Sequence, residues 1–267
     1  EAVGTFIMTK QNIFILLLFL LFSACSQNSD GTIEEITYEY SPEASLDLYI
    51  QGNRFLDQGK YNEAEKTFEK LIIIDPEFSM AWEGLSDASL MQSDLVNSLE
   101  FLDKALFINS SIASHNSKKA LVLYYLDDFE AADRFSNYAL EIEINDVRAI
   151  IVSAAVKANK GLLDQSNELF DRALELEPED SSIYYWKAKS YREYNIDLDK
   201  SMDLINKAIE LDRSAPAFYI ERALLYYSFG DLENSENDLL EAIEIAKNPR
   251  NQNLIDTAKG ILEDVKK

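Results

Sequence analysis

Residues 48–76 read LYIQGNRFLDQGKYNEAEKTFEKLIIIDP. Leu48, Gln51-Gly52 and Phe55 come first, then Ala64 and Phe68 four apart, then Pro76. The same anchors return downstream. Trp82, Leu85 and Ser86 repeat the opening; Ser166, Phe170 and Pro178 repeat the close. Framing the chain by these anchors sets repeats at 45–78, 79–112, 113–146, 147–180, 181–215 and 216–249. The period is 34 residues with one interval of 35, whose extra residue falls in the turn around Asn195–Asp199. A fixed period of this length is the mark of a stacked helical array, so it governs the reading of everything else.

The columns of the repeat carry the physics. Position 8 holds Gly52, Ser86, Ala120, Ala154, Ala188 and Ala223. Position 20 holds Ala64, Ser98, Ala132, Ser166, Ser201 and Ser235. Two helices of one repeat cross where these columns meet, and backbones approach only past small side chains. Position 27 is Leu71 and then alanine in five repeats, Ala105, Ala139, Ala173, Ala208 and Ala242. Large apolar residues fill position 17 (Tyr61, Leu95, Phe129, Leu163, Leu198, Leu232) and position 30 (Ile74, Ile108, Ile142, Leu176, Leu211, Ile245). One hairpin cannot bury such a face alone, so stacking makes the core.

On these columns the chain resembles the tetratricopeptide repeat (TPR) family over 45–249. The resemblance implies an all-α fold: a right-handed α-solenoid of six helix-turn-helix repeats. Arg213 stands where the family's proline is usual. Beyond Pro249, Leu254, Ile255, Ala258, Ile261, Leu262 and Val265 recur at helical spacing, which predicts a capping helix within 250–267.

The N-terminal segment reads as an address. Ile13 to Phe22 is ten apolar residues, half a membrane span and the length of a signal-peptide core, with Lys10 before it. Ser23, Ala24 and the single cysteine, Cys25, follow. The arrangement resembles a bacterial lipoprotein signal ending at a lipobox, with Phe22 where leucine is preferred. It implies that residues 1–24 are removed, with Met8 as the true start, and that Cys25 carries acyl chains such as palmitate. Each buried CH2 contributes about 0.8 kcal/mol to such an anchor. Ser26 after the cysteine favours the outer over the inner membrane in similar proteins, so the expected address is the cell envelope. Residues 25–44 read as a polar tether, with Ser41 as helix N-cap and Pro42 at the first helical position.

Composition narrows the function. The 267 residues carry a net charge of −23, which opposes nucleic acid. One histidine and one cysteine leave no Cys or His metal site and no disulfide framework. His115 falls on the first turn of a helix, where packing explains it better than catalysis. Asn195, Asp197, Asp199, Ser201 and Asp203 have the spacing of a calcium loop, but Lys200 and Asn206 replace its glycine and glutamate. A solvated turn explains the run as well. No catalytic residue, metal or cofactor is expected.

Binding is what remains. The family resemblance places ligand contacts on the concave face, at positions 2, 5, 9, 12 and 13 of each first helix. The candidates are Tyr49, Asn53, Glu83, Asp87, Leu121, Tyr125, Tyr185, Lys189, Arg192, Ile220, Leu224 and Tyr227. Asp57, Glu83 and Asp87 make the first two repeats acidic; beyond them the face is aromatic, with the Lys189/Arg192 pair. The expected partner is a protein or peptide with basic and apolar segments, held by an adaptor that is anchored in the bilayer. Self-assembly of a structural lipoprotein, as a homo-oligomer, and a pilotin-like role in assembling an outer-membrane complex are the alternatives.

Overall fold

The computed structural model describes residues 25–27, 33–35, 41–247 and 251–266. Contacts divide the chain into two units, residues 1–41 and 42–267. In the first, strands β1 (Cys25–Gln27) and β2 (Ile33–Glu35) pair antiparallel, with Cys25 opposite Glu35. That pairing was not expected of a tether; helical periodicity, the signal sought there, does not report on a three-residue ladder. The signal segment, Met8 included, lies outside the described residues.

The second unit is all-α. In chain order its hairpins are α1 (Pro42–Asp57) with α2 (Tyr61–Ile74), α3 (Ser79–Met91) with α4 (Leu95–Ile108), and α5 (Ala113–Tyr125) with α6 (Phe129–Ile142). Then come α7 (Val147–Asn159) with α8 (Leu163–Leu176), α9 (Ser181–Glu193) with α10 (Leu198–Leu211), and α11 (Pro216–Ser228) with α12 (Leu232–Ile245). Helix α13 (Gln252–Val265) closes the solenoid. The first helix starts at Pro42, three residues ahead of the repeat frame.

Each turn inside a hairpin is built alike. Three residues join the two helices in five repeats and four, 194–197, in the fifth. One residue per turn is left-handed: Gly59, Ser93, Asp127, Gly161, Asn195 and Gly230. That conformation suits glycine, asparagine and aspartate. An aspartate then caps the second helix in four repeats, Asp94, Asp128, Asp197 and Asp231, each accepting from a first-turn N–H. Such caps contribute about 1 kcal/mol each. The calcium-like spacing has this origin: Asp197 accepts the Lys200 N–H at 3.0 Å, and Asn195 is the left-handed residue.

The small columns meet where the period places them. Ser86 Oγ and Ser98 Oγ are 2.7 Å apart. Ser201 donates to the Ala188 carbonyl at 2.7 Å and Ser235 to that of Ala223 at 2.9 Å. Between the first two repeats an aromatic wedge sets the spacing of the helices. The Phe68 ring is fully buried, and a Cβ on Gly52 or Gly84 would lie 2.5 or 2.4 Å from it. Glycine is therefore required on both sides of that ring. Apolar clusters form around repeats one and two, three and four, and five and six with α13. The start of α13 reaches back to the second repeat, where Asn253 Nδ2 donates to the Gln92 carbonyl at 2.6 Å.

Candidate protein-binding face

The first helices line the inside of the curve. Four of the five pairs of successive first helices approach closely, whereas no two second helices do so to a comparable extent among the described residues. Tyr124 of α5 also packs edge-on against Trp186 of α9, ring centroids 5.4 Å apart, across the intervening α7. Contact between alternate repeats occurs only on the inner side of a bend.

Helices α3 and α5 stand farther apart than other neighbouring first helices, and polar side chains fill the seam. The fully buried His115 hydrogen-bonds Glu83 through Nδ1 and lies 3.1 Å from Ser79 Oγ through Nε2. Ser114 donates to Glu83 at 2.6 Å, and the Lys118 ammonium is 2.7 Å from Glu83 and also pairs with Asp87. Burial raises the Glu83 carboxyl, but the His115 bond and the Lys118 charge outweigh it and hold it at about 2, against an ordinary 4.5. Asp87 is raised, with burial as the largest cause.

Farther along, α7 carries small or slim residues (Ile151, Ala155, Ala158), and the aromatics of α5 and α9 close over it. Trp186 touches Tyr124, Tyr125 and Tyr185, and Tyr185 stacks on Phe218 at 5.2 Å. The Lys189 ammonium sits over the Trp186 and Tyr125 rings at 5.1 and 5.5 Å. Burial pushes the Tyr125 hydroxyl up to about 12, with Glu193 adding to it. Arg192 forks onto Glu221 through Nε and Nη2, and the Glu221 side chain is 4 % exposed.

The expected candidates divide accordingly. Tyr125 and Tyr227 are exposed on the inner face at 39 % and 49 %. Tyr49, Asn53, Leu121, Tyr185, Lys189 and Leu224 are half-buried, and Ile220 is buried in the core. The acidic character expected of the second repeat is corrected, because Glu83 and Asp87 are committed to Lys118 and His115. Arg192 likewise holds the fold together through Glu221. Charge is sorted between helices: the first helices α5, α7 and α9 carry seven lysines and arginines against one acid, while the second helix α12 carries five acids and no base. Three of those lysines, Lys119, Lys157 and Lys187, pair with Asp103, Asp133 and Asp171 of second helices.

The residues that sequence reasoning missed share one column. Position 6 of the repeat is Ile50, Gly84, Lys118, Val152, Trp186 and Glu221. It points between neighbouring first helices, so it decides how they separate and which charges are cancelled.

Residues 49–111 and 216–249 match models of the tetratricopeptide repeat. The chain carries tetratricopeptide repeats. A TPR repeat-containing protein of Methanocaldococcus jannaschii is 25 % identical over 226 residues, 76 % of this chain and 37 % of that protein. The chain thus spans little more than a third of that curated relative. A TPR protein from Parabacteroides merdae superposes with a TM-score of 0.67 at 18 % identity, over 85 % of this chain and 86 % of that one. The Pseudomonas aeruginosa pilF structure gives 0.54 at 18 % identity, over 76 % and 92 %. These structural likenesses are of fold: an all-α TPR solenoid.

Proposed function

We propose that the chain is an adaptor of the bacterial cell envelope, tethered to the bilayer through an acylated Cys25 and holding a segment of a partner protein on its inner face. TPR proteins typically mediate protein–protein interactions. The observation that carries the reading is the makeup of that face. Several of its charges are cancelled in pairs, yet Leu46, Met91, Tyr125 and Tyr227 stand between 39 and 51 % exposed on first helices. Exposed apolar and aromatic side chains among paired charges suit an apolar or aromatic segment. A photoreactive residue placed at Leu46, Tyr125 or Tyr227 is expected to crosslink one partner that is absent when it is placed at Glu168 or Glu244 on second helices. Equal crosslinking from both sets refutes the reading.

The anchor has its own support in the apolar run and the cysteine that follows it. Among the described residues no helix is long and apolar enough to cross a membrane. Cys25→Ser is expected to release the protein from membranes into the soluble fraction; a variant that stays bound removes lipidation from the account.

A second reading, self-assembly, is favoured by Phe107. It is 92 % exposed and borders a notch of about 430 Å³ between Pro76, Trp82 and Ile108. A protrusion beside a recess on one face is the requirement of a two-fold contact. Light scattering that reports a dimer lost in Phe107→Ser would support it.

A further inference from the structure

The edge of the solenoid that carries the turns inside each hairpin has a character of its own. First helices pack side by side, so their C-terminal ends and the turns that follow stand in one row along that edge. Leu126, Leu162, Leu163, Phe229 and Leu232 lie in these turns or at the first residue of the next helix, and each is 36–47 % exposed. None of them belongs to the inner face. Asp127, Asp128, Asp197, Asp199, Asp231 and Glu233 are interleaved with them. Three of these acids cap helices, and none of the six forms an ion pair among the described residues. At the second repeat the same edge is occupied, because α13 docks at Gln92; from the third repeat on, the apolar side chains named above are exposed among the described residues.

We infer that this edge of repeats three to six is a second docking surface, and that its occupant is a cationic amphipathic segment of a partner protein. The apolar side chains in the turns of repeats three, four and six call for cover, since exposed apolar patches mark interaction sites. The interleaved carboxylates select what covers it. An anionic membrane, a nucleic acid or a second copy of this chain, itself at −23, would bring like charge to them. A segment alternating lysine or arginine with leucine-like residues complements both features. Packed helices stand about 8–10 Å apart, so successive turns repeat at about the rise of five to seven helical residues. A helix whose apolar stripe offers a side chain every one to two turns therefore reaches each of them in succession. This surface is independent of the inner face and of what that face holds.

The probe is a synthetic leucine–lysine heptad peptide of about three heptads. Its binding to the full-length protein in phosphatidylcholine nanodiscs is followed by fluorescence anisotropy, with empty nanodiscs subtracted. The triple variant Leu126→Ser, Leu162→Ser, Phe229→Ser is expected to weaken binding about tenfold or more, by loss of apolar contact. Its side chains are exposed, so its melting curve should match the parent. Asp127→Asn with Asp231→Asn should flatten the salt dependence of binding. Glu168→Gln with Glu175→Gln on α8 should change affinity less than about twofold, as expected of exposed charges away from the contact. Three results would overturn the proposal. One is equal weakening by the α8 pair. Another is equally tight binding of a leucine–glutamate counterpart. The third is a sedimentation profile in which the triple variant dissolves a dimer rather than releasing the peptide.

Discussion

Gly84→Ala should destabilise the protein, although alanine is the better helix former. An added Cβ would lie 2.4 Å from the Phe68 ring, about 1 Å inside an ordinary carbon–carbon contact. The ring cannot retreat, because Gly52 closes its other side equally tightly. Overpacking of this kind costs about 1–3 kcal/mol, and a ring blocked on both sides belongs at the upper end. Alanine's helix preference returns about 1 kcal/mol. The net loss is then about 2 kcal/mol, which for a chain of this size lowers Tm by about 4–8 °C. Gly260→Ala is the matched control. It makes the same chemical change inside α13, where no heavy atom lies within 4 Å of the new Cβ, and it should raise Tm by about 2 °C. In a Phe68→Leu background, Gly84→Ala should cost less than about 1 kcal/mol, since the smaller side chain leaves space. Thermal and urea unfolding followed by circular dichroism measure all four variants. If Gly84→Ala stabilises as Gly260→Ala does, the wedge between the first two repeats is wrong, and the spacing of α1 and α3 must be explained otherwise.

Other predictions concern the buried charges. The Glu83 carboxyl is held below its ordinary value in the folded chain, so its stabilising contribution is present above pH 4.5 and is lost as pH falls toward 2. Relative to Glu83→Gln, the parent should lose up to about 3 kcal/mol across that window, read from urea midpoints at either end; parallel pH profiles would refute the role given to Lys118 and His115. Arg192→Ala leaves the Glu221 carboxylate buried without its partner and should cost about 3 kcal/mol. Arg192→Leu with Glu221→Leu should recover most of that loss, and failure to recover would mean that packing of the arginine stem matters more than the charge.

Much of this architecture is legible in the sequence because each column repeats six times. The small residues at positions 8 and 20 meet as Ser86–Ser98, Ser201–Ala188 and Ser235–Ala223, and the fifth turn holds the extra residue. The inner face was less legible. Its charges are cancelled by residues about one repeat away: Lys118 reaches Asp87 over 31 positions and Arg192 reaches Glu221 over 29. Helical periodicity orders side chains around one helix and says nothing about which neighbour a side chain meets. Position 6 faces that neighbour and is chemically mixed, with glycine, lysine, tryptophan and glutamate in four of its six places. A column without a shared residue type gives no signal, although it sets the groove. The same blindness concealed the aromatic bridge over α7, which needed Tyr124 and Trp186, residues 62 positions apart, to be seen together.

The central claim, an adaptor that works through its inner face, is tested most directly by position-resolved photocrosslinking in intact membranes with Cys25 present. The account predicts that probes at Leu46, Tyr125 and Tyr227 trap the same partner protein, and that probes at Glu168 and Glu244 trap none of it. A partner captured from the second helices alone, or equally from both faces, would contradict it.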